Sequence, residues 1–123
     1  MSANTVCWTD IPVLDLDRAI KFYADVLGKP VRKESMEGFA LGLLPHEEQN
    51  SSGCLVVSDE MKPSRNGLLV YLSVDGRLDE AVKAARAGGG EILQDKHQIG
   101  PYGFRAIIVD SEGNRIALHA GPD

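Results

Sequence analysis

Apolar residues along this chain recur with two different periods, and the switches between the periods mark its elements. Leu16, Ala19, Ile20, Tyr23, Val26 and Leu27 fall on one helical face. Asp15 or Asp17 caps that helix, and Gly28 and Pro30 stop it. Leu78, Ala81, Val82 and Ala85 repeat the spacing ahead of Gly88-Gly89-Gly90. Short apolar runs predict strands around each helix. Around the first they are Val6 to Val13, Val31 to Glu34, Phe39 to Leu43 and Cys54 to Val57. Around the second they are Leu68 to Val74, Glu91 to Leu93, Phe104 to Val109 and Arg115 to His119. Pro12 puts the first strand at a sheet edge or marks its end. Met36-Glu37-Gly38 separates two strands, and Pro45 to Ser52 and Asp59 to Gly67 read as connectors. Asp110-Ser111-Glu112-Gly113 closes a hairpin: Asp suits the first position of a type I turn, and Gly113 supplies a positive φ. In the last strand Asn114, Ile116 and Leu118 face one way, and Arg115, Ala117 and His119 the other.

The order strand-helix-strand-strand-strand therefore occurs twice, in phase. Leu16, Ala19, Ile20, Lys21, Gly28 and Val31 recur 62 positions later as Leu78, Ala81, Val82, Lys83, Gly90 and Leu93. Val13 maps onto Val74 with an offset of 61, and Phe39 to Leu43 onto Phe104 to Ile108 with an offset of 65. Two copies are too few for a solenoid. Each copy has one helix to cover one sheet face, so the other face needs a different partner. Two curled sheets facing each other meet that need and leave a concave space between them.

Length and charge narrow the partners. A chain of 123 residues predicts one domain over 1–123, with modules at about 5–58 and 67–120. The net charge of −5 argues against nucleic acid, because phosphate binding wants a basic face. No apolar run is long enough for a membrane span, and Met1 to Thr5 has no signal-peptide pattern, so a cytoplasmic location is expected. Cys7 and Cys54 lack CxxC spacing and read as buried thiols, not a disulfide. His46-Glu47-Glu48 lacks the second histidine of a zinc-protease helix, because position 50 is Asn. Gly88 to Gly90 closes a helix, whereas a phosphate cradle opens one. Cys54 has no base beside it in sequence to make it a nucleophile.

Ile11-Pro-Val-Leu-Asp-Leu-Asp-Arg-Ala-Ile-Lys-Phe-Tyr-Ala-Asp-Val-Leu-Gly28, together with Asp110-Ser-Glu-Gly-Asn-Arg-Ile-Ala-Leu-His119, resembles the vicinal oxygen chelate superfamily. That superfamily includes glyoxalase I, extradiol dioxygenases, fosfomycin-resistance enzymes and bleomycin-binding proteins. The resemblance implies an α+β fold of two tandem βαβββ modules, curled mixed sheets around a concave pocket, and a homodimer. It also implies where a divalent ion would sit in the metal-dependent members, on His or Glu from the first and last strands of each module. Those positions fall on Trp8, Leu69, Ala117 and near Leu55, none of which offers a carboxylate or imidazole. The expectation is therefore no metal and no cofactor.

Strand parity predicts that Trp8, Leu69, Tyr71 and Ala117 share the cavity. Arg105 or Phe104, with Arg115 and His119, brings polar groups to it, and His97, Tyr102 and Gly103 form a rim. An aromatic-lined space with a few polar groups suits a small organic ligand. Three functions remain open. One is a binding protein of the bleomycin-resistance kind. Another is a lyase or isomerase acting on a small carbonyl compound through His119, Arg105 or Tyr71. The third is a structural or interaction module whose cavity is filled.

Overall fold

Asp15 has extended backbone and its carboxylate accepts the Arg18 N–H at 3.1 Å, which starts the first helix. Gly28 ends that helix with φ 70°. The computed structural model describes residues 5–36, 38–47 and 51–122. The expectations resting on Met1 to Asn4, Glu37 and residues 48–50 lie outside those residues. The elements run β1 (Trp8–Pro12), α1 (Leu16–Leu27), β2 (Arg32–Met36), β3 (Phe39–Leu43), β4 (Ser52–Val56), β5 (Val70–Ser73), α2 (Leu78–Ala87), β6 (Glu91–Gln98), β7 (Phe104–Val109) and β8 (Arg115–Ala120).

The strands form two four-stranded mixed sheets, ordered β1-β4-β3-β2 and β5-β8-β7-β6. The parallel pairs are β1–β4 and β5–β8, and the other pairs are antiparallel. This is the α+β duplication that the sequence phase predicts. The helices pack on each other and on one face of the sheets. Ala19, Phe22, Tyr23 and Val26 of α1 join Leu78, Ala81, Val82 and Ala85 of α2 in the core. Ile11 and Leu55 from one sheet and Ala106, Ile108, Ile116 and Leu118 from the other complete it. The apolar set of β8 therefore faces the helices, and Arg115, Ala117 and His119 face away.

Three local expectations change. β6 runs through Gln98, well past the short strand expected at Glu91 to Leu93. It lies at a sheet edge, where solvent tolerates Gln94, Asp95 and Lys96, so the apolar signal fades before the strand does. β5 begins at Val70, which leaves Leu69 just ahead of it. Cys54 is buried as expected, but Cys7 is exposed. Leu55 is fully buried on the helix side, so the last-strand position of the first module, expected near Leu55, is Cys54. Cys54 pairs with Asp10 as Ala117 pairs with Tyr71.

The β7–β8 turn joins the two halves. Asp110 Oδ1 accepts the backbone N–H of Glu112, Gly113 and Asn114, each at 2.8 Å. Its Oδ2 accepts the Tyr23 hydroxyl of α1 and the Asn114 amide at 3.1 Å. Asn114 also donates to the Pro12 carbonyl at 2.7 Å and accepts the Ser64 N–H at 3.2 Å. Glu112 Oε1 accepts the N–H of Leu14 and Asp15, both at 2.9 Å, and Arg18 grips both of its oxygens at 2.7 and 2.9 Å. One turn of the second module thus satisfies the strand-to-helix corner of the first. Burial and the adjacent Asp110 charge push the Tyr23 hydroxyl well above its usual range, so it remains a donor.

Candidate functional site

Paired residues of neighbouring strands project from the same face, so the ladders give the order of side chains across the second sheet. One rank reads Tyr71, Ala117, Ile107. The next reads Ser73, His119, Arg105, His97 across all four strands. Tyr71 on β5 and Arg105 on β7 lie on either side of β8, roughly 10 Å apart at the backbone given the usual strand spacing. They meet above it: Arg105 Nη1 donates to the Tyr71 hydroxyl at 2.7 Å. Ala117, directly beside Tyr71, is small enough to allow this crossing, and the contact leaves it fully buried.

Arg105 is held on its other edge as well. Its Nε–H donates to His97 Nε2 at 3.2 Å, and Nη2 lies 3.1 Å from the same atom. A guanidinium has no acceptor, so His97 Nε2 must supply the lone pair. His97 Nδ1 lies 2.9 Å from the Asp95 carbonyl oxygen, which fixes the ring proton on Nδ1. Bulges between Ile92 and Gln94 and between Gln94 and His97 bring His97 into register with Arg105. His119 is oriented from the hairpin base, where its Nε2–H donates to the Tyr102 carbonyl at 2.8 Å. Gly103 makes this approach feasible, because at φ 105° an added Cβ would sit 2.3 Å from the Ala120 carbonyl oxygen. His119 Nδ1 is left with its lone pair in the neutral ring. The Tyr71 and His119 rings stand edge to face with centroids 6.3 Å apart.

Beside this cluster a cavity of about 670 Å³ opens along the seam between the edge strands β1 and β5. Thr9, Ile11 and Lys29 of the first module and Leu69, Tyr71 and Ser73 of the second are among the residues that line it. Of the sequence candidates, Leu69 and Tyr71 border the cavity, Arg105 and His119 gather around Tyr71, and Tyr102 offers its backbone carbonyl to His119 with its side chain exposed. Arg115 lines a separate cavity of about 180 Å³ with Lys62 and Asp10, and its Nε is buried with no hydrogen-bond partner. Trp8 sits on the other sheet, where its indole N–H donates to Asp10 at 3.1 Å and its ring meets His46. Ala117 is covered and lines neither cavity.

Sequence reasoning assigned no role to Asp10 and placed His97 only at the rim. The His97 position depends on bulges that carry no strong sequence mark. Asp10 accepts the Cys54 thiol at 3.3 Å. Burial, reinforced by that carboxylate, pushes the thiol up to about 11, so Cys54 is not a thiolate near neutral pH.

The positions that the resemblance implies for metal ligands fall on Trp8, Leu69, Ala117 and, in the register of β1 with β4, Cys54. A protonated thiol among an indole and two hydrocarbon side chains does not fit a hard divalent ion. Among the described residues no three His, Cys, Asp or Glu side chains converge to hold a metal. Nor is any described helix long and apolar enough to cross a membrane.

Comparison with known proteins places this architecture. A glyoxylase-like domain-containing protein of Didymella fabae is 29% identical over 123 residues, covering 92% of this chain and 91% of its own. The structure of a glyoxalase/bleomycin resistance protein from Albidiferax ferrireducens T118 superposes with a TM-score of 0.74 at 18% identity, over 97% of this chain and 100% of that one. A glyoxalase I mutant from Zea mays superposes with a TM-score of 0.70 at 22% identity, over 98% of this chain but only 48% of its own. At these identities the structural matches speak for the fold alone. The family profile extends from residue 5 to residue 118 and so takes in both βαβββ modules, the closing hairpin and the turn that joins them. The chain belongs to the Glyoxalase/Bleomycin resistance protein/Dioxygenase superfamily.

Proposed function

We propose that this protein is a metal-independent binder of a small organic molecule. The ligand's apolar body lies in the seam between β1 and β5, and its polar end reaches Tyr71, Arg105 and His119. The observation that carries this reading is the double role of Tyr71. It lines a cavity of about 670 Å³, within the size range of small-molecule sites, and its hydroxyl is fixed by Arg105. The donor-poor set Trp8, Cys54, Leu69 and Ala117 supports metal independence. A cavity of that size also speaks against the structural-module reading. The proposal takes the protein as a cytoplasmic homodimer. Trp8, Phe39 and Tyr71 are each about half exposed, apolar surface that a second copy would cover.

The test is a titration of chelator-treated, dialysed protein with a panel of aromatic and polycyclic compounds. It is read by calorimetry and by the fluorescence of Trp8, the single tryptophan. Saturable binding unaffected by chelator is expected. Stoichiometric metal after dialysis, or no binding across the panel, would overturn the reading.

A second reading, a lyase or isomerase on a small carbonyl compound, is favoured by one observation. His119 gives its Nε2–H to a carbonyl and leaves Nδ1 as a base, and its ring stands edge to face with that of Tyr71. Turnover that survives chelator and falls roughly 100-fold or more in His119→Ala is the expected outcome under it. Unchanged kcat in that variant would remove it.

A further inference from the structure

We infer that the ligand is an organic monoanion, a carboxylate on an apolar or aromatic body, with Arg105 as its charge partner. The inference rests on the binding reading above and specifies the ligand class. Arg105 is half-buried in a chain of net charge −5, yet no ion pair among the described residues includes it. Its neighbours are a neutral imidazole and a phenol. A cation partly removed from water without a counter-charge is costly, and a bound carboxylate offsets that cost.

The donor geometry agrees. Of the five guanidinium N–H bonds, Nε–H and one Nη2–H point at His97, and one Nη1–H points at Tyr71. One N–H remains on each terminal nitrogen, and both are available to donate to the oxygens of a carboxylate. Tyr71 already accepts from Arg105, so its own O–H is free to donate to the same anion. His97, which can only accept, holds the Nε edge of the guanidinium toward β6 and leaves the opposite edge to other partners. The cluster holds a single guanidinium, which sets one charge-assisted pair at the polar end of the ligand, while Lys29 lines the adjoining cavity. The ring of Tyr71 then continues into the apolar wall of the seam, where the ligand body lies.

The experiment compares 2-naphthoate with 2-naphthamide, of nearly equal shape, by calorimetric titration of the full chain at neutral pH. The wild type is expected to bind the carboxylate roughly tenfold more tightly, as one charge-assisted pair supplies. In Arg105→Gln that preference should vanish while the amide binds as before, which also reports that the variant is folded. Arg86→Gln, an exposed change of the same charge on α2, should leave the preference intact. Equal affinity of the two probes for the wild type would overturn the anion and leave the binding reading standing. A preference that persists in Arg105→Gln would overturn the assignment of Arg105. Failure of both probes in a protein that binds other compounds of the panel would overturn the anionic ligand class, and failure of the whole panel would overturn the binding reading with it.

Discussion

Asp110→Ala is expected to lower the unfolding free energy by about 4 kcal/mol, the scale seen when one member of a buried polar network is removed. That is a large share of the roughly 5–15 kcal/mol that stabilises a typical domain. Asp110 is 3% exposed and accepts five hydrogen bonds, three from its own turn and two from Tyr23 and Asn114. Alanine leaves the turn amides without their acceptor and strands the fully buried Tyr23 hydroxyl, and each unsatisfied buried group costs about 1–3 kcal/mol. Tyr23→Phe removes donor and demand together and should cost only about 1 kcal/mol. Asp110→Asn should fall between the two, because its amide nitrogen would confront the Asn114 amide. Urea denaturation of the three variants checks the order. A loss below about 1 kcal/mol for Asp110→Ala would show that water substitutes for the carboxylate.

Acid should loosen the same joint through Glu112. Burial pushes this carboxyl up, but hydrogen bonds from Arg18, the Asp15 N–H, the Ser111 hydroxyl and the Leu14 N–H outweigh it and hold the group at about 2. In the unfolded chain it returns to about 4.5 and binds a proton that the folded protein refuses. The stabilisation is therefore complete above about pH 5 and lost as pH falls through 4.5 toward 2. A shift of that size corresponds to about 3 kcal/mol, and to somewhat less here because Arg18 is half exposed to solvent screening. Urea midpoints measured at intervals between pH 2 and pH 6 should fall steeply for the wild type. They should fall more gently for Glu112→Gln, which is less stable at neutral pH and converges with the wild type in acid. Parallel curves for the two proteins would count against the assignment.

These two residues show what a sequence hides. Asp110, Ser111, Glu112 and Gly113 were legible as a turn, whereas Asn114 reads as the first residue of the last strand and instead lies just ahead of β8. Their partners at Pro12, Leu14, Asp15, Arg18 and Tyr23 lie some 90 to 100 positions away, and nothing local encodes them. The helices and the duplicated order were legible because both depend on apolar period. The phase of β8 was legible because its turn pins the register. The parallel β1–β4 pair has no such pin, so only the neighbourhood of Leu55 could be named, and the register sets Cys54 opposite Asp10. Arg105, Tyr71 and His119 were chosen by parity. Their meeting over Ala117 needed the order of strands, which places β8 between β5 and β7.

That strand order has one further outcome. β1 and β5 each end a sheet, and their outer margins border the seam. Each such margin carries main-chain amides and carbonyls that no neighbouring strand has claimed. An occupant of the seam can thus be recognised in part by peptide groups, which persist whatever amino acid a mutation installs. Substitutions around the seam would change its side chains and leave these backbone groups in place.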